Sequence, residues 1–450
     1  MLPDLRFSAL RALYEADDSA VGCVFDDLIG ELEKDRATSV WIHRASPDEL
    51  RERASAQLQR KRRGERLPLF GMPFAAKDNI DVAGMPTTAA CPRFRYVPAT
   101  SASIVQQLCD LGAVCVGKTN MDQFATGLTG TRSPYGICAS AYDPAFIAGG
   151  SSSGSAVAVA KGLVSFALGT DSGGSGRIPA GFNNIVGLKP TIGAVSLNGT
   201  VPNSRSFDCP SIFAREVADA AELFDLICGY DPDDPFSRRA PAAASAAGHG
   251  AAADTSFGAP RGEDCAWFGD TNSERAFGRA LDRLQSCGYL HRPIDYEIFA
   301  EAGRMMLNGP WIAERRAGLR AFFDANRDAL LEVVRAMFDR GDQWSAVDVF
   351  EWSYRLMALR REAARIFETI GFLVVPTAPR PFTIAEILSD PIQRNIDVGT
   401  YSYFVNLLDL CALTVPNGFL PGGMPTSITL VAPAWRDRDL IAVAGAFAAT

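Results

Sequence analysis

Histidine is almost missing from this chain: there are three in 450 residues, His43, His249 and His291, and none lies beside a nucleophile-like motif. A Ser-His-Asp triad or a histidine-rich zinc site would have to be built from these three, so both are disfavoured and lysine becomes the favoured base for proton transfer. No apolar run approaches the roughly 18 residues a membrane-spanning helix needs. The start, Met1-Leu2-Pro3-Asp4, lacks the basic and apolar segments of a secretory signal, so none is expected. There is no basic stripe either. The net charge is −8 and the main cationic cluster is Lys61-Arg62-Arg63, read as the solvated end of a helix, which argues against nucleic acid as a partner. The ten cysteines contain no CxxC pair and sit in apolar contexts such as Val114-Cys115-Val116 and Leu410-Cys411-Ala412. They read as reduced core thiols of a cytoplasmic protein.

What is present is ordinary soluble-protein composition, 47% apolar and 21% charged, with no internal repeat and no charge block dividing the chain. Residues 18–32 and 48–61 place apolar side chains at three- and four-residue spacing and are expected as helices outside a sheet. Residues 68–77 read as a turn and a buried strand that carries Lys77 inward, where burial would disfavour the ammonium and lower its pKa. Residues 103–111 fit a helix, 114–117 a parallel strand, and 118–124 a loop opening into a helix, an alternation that implies a mainly parallel sheet covered on both faces. Residues 193–196 and 208–212 read as further strands, and 217–228 as a helix capped by Gly229. The alanine-, glycine- and serine-rich run 241–259 reads as a surface excursion. Helices rich in arginine dominate 300–370.

The densest chemistry lies between Gly149 and Arg177. Gly149-Gly150-Ser151-Ser152-Ser153-Gly154-Ser155 precedes a small apolar run that fits a tight helix and a buried strand, and Gly169-Thr170-Asp171-Ser172-Gly173-Gly174-Ser175-Gly176-Arg177 follows. Such loops leave backbone N–H groups free to bind a negatively charged oxygen. Together with Phe74-Ala75-Ala76-Lys77-Asp78-Asn79 and Gly187-Leu188-Lys189-Pro190, this stretch resembles the amidase signature family, whose catalytic set is Ser, cis-Ser and Lys. Ser175 follows Ser151 by 24 residues, and Ser151 follows Lys77 by 74, as that pattern requires.

The resemblance implies an α/β amidase-signature fold, a large mixed, mainly parallel sheet under helices. It also implies one amidase domain: N-terminal helices over about 1–65, a catalytic core over about 66–230 and a helical pocket region over about 260–450; the further C-terminal domain that many relatives carry is not expected in these 450 residues. Ser175 takes the nucleophile position, Ser151 the bridging serine and Lys77 the base, while the N–H groups around Ser172, Gly173, Gly174 and Ser175 take the oxyanion. No metal or organic cofactor is implied. Gly130-Thr131-Arg132-Ser133-Pro134-Tyr135-Gly136, Ile178-Pro179-Ala180-Gly181-Phe182-Asn183-Asn184, Asn406-Leu407-Leu408-Asp409-Leu410-Cys411-Ala412 and the segment 306–315 are similar to one branch of the family, the allophanate hydrolases. In that branch an arginine at the place of Arg315 binds a substrate carboxylate, a role suited to a guanidinium fork. Thr131 and Arg132 are further candidate substrate contacts. Two positions depart from the branch: Leu307 stands where it has a tyrosine, and Met424-Pro425-Thr426-Ser427-Ile428 replaces its usual Leu-Pro-Phe-Gly-Val near the pocket. The function implied is release of ammonia from a small ureido or malonamic-type acid, with another acyl substrate, or ammonia delivery within a transamidation complex, as the alternatives. A homodimer is compatible with the sequence, which does not choose the oligomeric state.

Overall fold

The computed structural model describes residues 2–35, 38–242 and 255–450. Its eleven strands are β1 (Trp41–Arg44), β2 (Pro73–Lys77), β3 (Val114–Thr119), β4 (Phe166–Asp171), β5 (Val186–Lys189), β6 (Cys209–Ala214), β7 (Ser256–Ala259), β8 (Leu290–Pro293), β9 (Phe372–Pro376), β10 (Leu410–Phe419) and β11 (Pro425–Pro433). They form one sheet in the order β1-β3-β2-β4-β6-β5-β10-β11-β9-β7-β8. Parallel pairing joins β2 to β3 and β4, and β7 to β8 and β9; the other neighbours run antiparallel. The sheet is therefore mixed, and its parallel character is confined to two flanks.

The period-two alternation of side chains divides the interior into two cores. Cys411, Leu413, Val415, Ile428, Leu430 and Val374 face one, with the helices Ala20–Lys34, Val217–Ile227 and Asp437–Ala448 over it. Leu410, Ala412, Val431, Leu373 and Val375 face the other, beneath Glu297–Asn308 and Ala346–Phe367. These strands are buried on both faces, which is why their sequences read as continuous apolar runs.

Several expectations are corrected. The 118–124 segment continues β3 through Thr119 and then makes a single 3-10 turn, Gln123–Ala125, instead of a helix, because Phe124 adopts a left-handed conformation. Residues 193–196 are a turn; the strand of that region is β5, which pairs with β6 and β10. Helix Val217–Ile227 closes at Cys228, and Gly229 does not take a left-handed cap conformation. The excursion 241–259 ends in a buried strand, β7, whose small residues fit between β8 and β9; its residues 243–254, including His249, lie outside the described residues. The sheet accordingly resumes at Ser256. His43 and His291 lie on β1 and β8, at the two sheet edges. Among the described residues no helix is long and apolar enough to cross a membrane, and no group of metal-ligating side chains occurs.

Candidate active site

Lys77 closes β2, between β3 and β4, and its side chain is wholly buried. As an ammonium its Nζ donates to Ser151 Oγ and Thr170 Oγ1, each at 2.8 Å, and to the Thr170 carbonyl at 3.4 Å. Burial pulls the Lys77 ammonium down to about 7, against the opposing pull of Asp122, Asp171 and Asp208. Once neutral, the same nitrogen carries a lone pair, and the contact with Ser151 reverses so that the hydroxyl donates to it.

Ser151 enters the buried helix Ser153–Ala160 through a cis Gly150–Ser151 peptide. Asp122 shapes the surroundings. Its N–H donates to the Ser151 carbonyl at 3.1 Å, and its carboxylate accepts from the amides of Thr129, Gly130 and Arg132 at 3.2, 3.1 and 2.8 Å. Gly150 is packed against this carboxylate so closely that a Cβ would lie 2.1 Å from Asp122 Oδ2 and 2.6 Å from Gly130 N. Gly150→Ala is therefore expected to destabilise the fold by about 1–3 kcal/mol, read by urea denaturation, and to displace Ser151. An alanine variant of wild-type stability would show that this contact is relieved at no cost.

Ser175 lies in the loop after β4, which Asp171 holds from beneath. The Asp171 carboxylate accepts from the Gly174 and Gly176 amides, both at 2.9 Å, and from Arg177 Nε and Nη2 at 3.0 and 2.9 Å. Burial alone would raise this carboxyl; the Arg177 guanidinium outweighs it and holds Asp171 down to about 2. Arg177 is itself buried and completes its donors on the Ser402 carbonyl and Asn406 Oδ1, both at 3.0 Å, while Asn406 Nδ2 returns to the Asp171 carbonyl at 2.9 Å. The 406–412 motif thus acts through its first residue. This arrangement corrects the expected oxyanion set: the Gly174 amide is committed to Asp171, which leaves the amides of Ser172, Gly173 and Ser175 without a protein acceptor among the described residues.

Sequence reasoning missed Asp208 as a functional candidate, having read it only as the start of a strand. It is buried, receives the Ser172 hydroxyl and accepts from the Asn203 and Ser204 amides at 2.7 and 3.0 Å. Burial pushes its carboxyl up to about 6, with these hydrogen bonds pulling the other way. Thr170 and Asp122 were equally unassigned. Only tertiary contact reveals them.

Ser172, Gly173 and Ser175 open onto a cavity of about 180 Å³ that Leu307, Arg315, Arg132 and Tyr403 also line. This is small beside the about 300–1,000 Å³ of drug-sized sites. Arg315 stands on the helix Trp311–Ala325, where its Nε donates to Ser204 Oγ at 3.3 Å and no ion pair engages it among the described residues. Burial pulls its guanidinium below the ordinary value, against the raising influence of Asp208. The remaining guanidinium donors are thus available to a bound anion. Arg132 lines the cavity but donates to the carbonyls of Thr126 and Pro391. Thr131 is not part of the lining; its hydroxyl pairs with Thr129 Oγ1 at 2.8 Å, which corrects its candidacy as a substrate contact. The 424–428 segment also lies apart from this cavity. Pro425, Thr426 and Ser427 line a separate, narrow one beside Ile178, Gly181 and Phe182. Among the described residues no hydrogen bond joins Ser175 to Ser151, so the structure brings Lys77 and Ser151 into direct contact and places Ser175 on the cavity wall.

Comparison with known proteins adds the following. The family model described as Amidase matches residues 29–441. The chain is 40% identical over 412 residues to the urea amidolyase of Saccharomyces cerevisiae, covering 91% of this chain and 22% of that protein. It spans about a fifth of the length of the urea amidolyases it matches. One component of the glutamyl-tRNA(Gln) amidotransferase of Deinococcus radiodurans is 36% identical over 428 residues, covering 88% of each chain. The solved structure of Kluyveromyces lactis allophanate hydrolase superposes with a TM-score of 0.92 at 36% identity, over 98% of this chain and 72% of that one.

Proposed function

The chain belongs to the amidase family, and from that premise we propose that it hydrolyses the terminal C–N bond of a small ureido or malonamic-type acid, releasing ammonia. The observation that carries the reading is the 2.8 Å contact between a buried, readily neutralised Lys77 and Ser151, beside a cavity that holds both Ser175 and a free guanidinium fork at Arg315. Neutral Lys77 takes a proton from Ser151 as Ser151 takes one from Ser175, and the Ser175 oxygen adds to the amide carbonyl. The amides of Ser172, Gly173 and Ser175 hold the oxyanion, each contributing on the order of 3 kcal/mol as in other hydrolases. The proton returns through Ser151 to the leaving nitrogen, ammonia departs, and water repeats the sequence on the acyl-enzyme. These steps use only these side chains and water.

The one continuous sheet from Trp41 to Pro433 supports reading the chain as a single amidase domain, and its ten free cysteines support a cytoplasmic location. The test is ammonia release by the purified chain across allophanate, biuret, malonamate and simple aliphatic and aryl amides. Faster release from the acids than from neutral amides is expected. Release only when a second protein is supplied would instead favour the ammonia-delivering role suggested by the amidotransferase relative.

Arg315→Ala should cost about 2–4 kcal/mol in kcat/KM on acidic substrates, roughly 30- to 1,000-fold, with little effect on neutral amides. Equal losses on both would give Arg315 a structural role. Leu307 makes the adjoining wall apolar, so Leu307→Tyr is expected to raise the preference for allophanate by restoring a hydroxyl; an unchanged preference would leave this departure without a meaning for specificity.

A further inference from the structure

β4 and β6 pair antiparallel with Asp171 opposite Cys209, so the residue after one and the residue before the other meet where the ladder ends. They are Ser172, at the start of the oxyanion loop, and Asp208. Asp208 does not line the cavity that holds Ser175; it is buried behind that wall, and no lysine or arginine pairs with it among the described residues. A buried carboxylate without a counter-ion is costly unless hydrogen bonds satisfy it. Asp208 obtains them from two segments. The Ser172 hydroxyl donates to Oδ1, while the Ser204 amide donates to both oxygens at 3.0 Å and the Asn203 amide to Oδ2 at 2.7 Å.

The loop 203–208, folded around this carboxylate, is fastened in turn to the helix that carries Arg315. Ser204 Oγ accepts from Arg315 Nε at 3.3 Å, and the amide and hydroxyl of Ser206 donate to the neighbouring Glu314 at 2.8 and 2.7 Å. We propose that Asp208 is a positioning residue that fixes the distance between the oxyanion hole and Arg315, and thereby sets the length of acyl group the chain turns over. The inference rests on the reading that Arg315 receives a substrate carboxylate. The ureido and malonamic acids share a single atom between that carboxylate and the amide carbonyl, so this is the length selected. Neither segment can shift against the other without losing a charge-assisted hydrogen bond to the same carboxylate. A substrate held at both ends is therefore measured against a fixed span, and a misplacement of about 1 Å, roughly one methylene, lowers the rate on the order of 100-fold.

The test is kcat/KM on oxamate, malonamate and succinamate, which lengthen the acyl group stepwise, and on neutral propionamide. Wild type should favour malonamate over the shorter and longer acids by about 100-fold. Asp208→Ala should narrow that ratio to about ten-fold or less, because the two ends then move independently. Asp208→Asn should keep it, since an amide can leave its oxygen to Asn203 and Ser204 and turn its nitrogen to Ser172 Oγ, which accepts as well as donates. Two milder variants separate the ends and carry the test if Asp208→Ala does not fold. Ser172→Ala should lower kcat on malonamate and propionamide in equal proportion, whereas Ser204→Ala should lower malonamate about ten-fold more than propionamide. Equal rates on the three acids in wild type, a uniform loss on all three in Asp208→Ala, or equal losses on malonamate and propionamide in Ser204→Ala would overturn the proposal. The wild-type ratio of malonamate to propionamide tests the acid reading separately. Without a preference for the acid both readings fall; with it, an unchanged length profile in Asp208→Ala overturns the spacing role alone.

Discussion

Ser175→Ala is expected to lower kcat by about 10⁶-fold, the order of loss when a serine nucleophile is removed from another hydrolase, because no other step can form the acyl-enzyme. The fold should be untouched. Ser175 is 4% exposed, its hydroxyl makes no hydrogen bond among the described residues, and its loop is held by Asp171 and Arg177. The unfolding free energy should therefore change by no more than about 0.5 kcal/mol. Ammonia release and urea denaturation measured on the same preparation separate the two effects. Near-normal turnover would remove Ser175 from the nucleophile position, and lost turnover with an unfolded variant would leave it undecided until Ser175→Gly was measured.

Lys77 carries the second large effect. Lys77→Ala should lose about 10⁴-fold or more in kcat, and Lys77→Arg should not recover it, since a guanidinium stays protonated and has no lone pair to offer Ser151. In the wild type, kcat should rise with pH through about 7 as Lys77 loses its proton. The same group gives a stability signature of definite sign. Between about 7 and the ordinary lysine value the folded protein holds Lys77 neutral while the unfolded chain holds it charged, so the unfolded state binds the extra proton and stability rises with pH across that window. Below pH 7 the burial penalty is fully present. Lys77→Met should then gain on wild type by a few kcal/mol at pH 6, with the difference shrinking as pH climbs toward 10. A difference in melting temperature that does not vary with pH would mean that Lys77 is not titrating in the native state, and the base would have to be sought elsewhere.

Of the residues whose spacing carries the resemblance, Lys77 touches Ser151, and Ser175 shares a cavity wall with Ser172, Gly173 and Arg315. What escaped has a common physical cause. Asp208 and Asp122 act through hydrogen bonds to amides and hydroxyls brought to them by the fold, and a lone aspartate in a sequence gives no sign of what it will receive. Thr170 looked like any loop threonine, yet its hydroxyl shares Lys77 with Ser151 because β4 lies beside β2. Strand direction was hidden for a similar reason. β5 and β6 are buried on both faces like parallel strands, although they pair antiparallel. The alanine-rich run concealed β7 because composition signals excursion while a crowded sheet selects small residues. Gly174 was placed among the oxyanion donors by proximity to Ser175; the Asp171 carboxylate claims its amide first.

The clamp on Arg177 has a consequence for the timing of activity during synthesis. Two of its acceptors, the Ser402 carbonyl and Asn406 Oδ1, arrive 225 and 229 residues after it along the chain. A ribosome releases the Ser175 loop long before it releases these groups. Until then the guanidinium has only Asp171, and its other donors must remain in water, which keeps the loop open to solvent and its amides unaligned. A nascent chain that already carries Lys77, Ser151 and Ser175 is thus expected to be inert, and a ribosome-stalled series should acquire ammonia release only when residues beyond about 410 have cleared the exit tunnel.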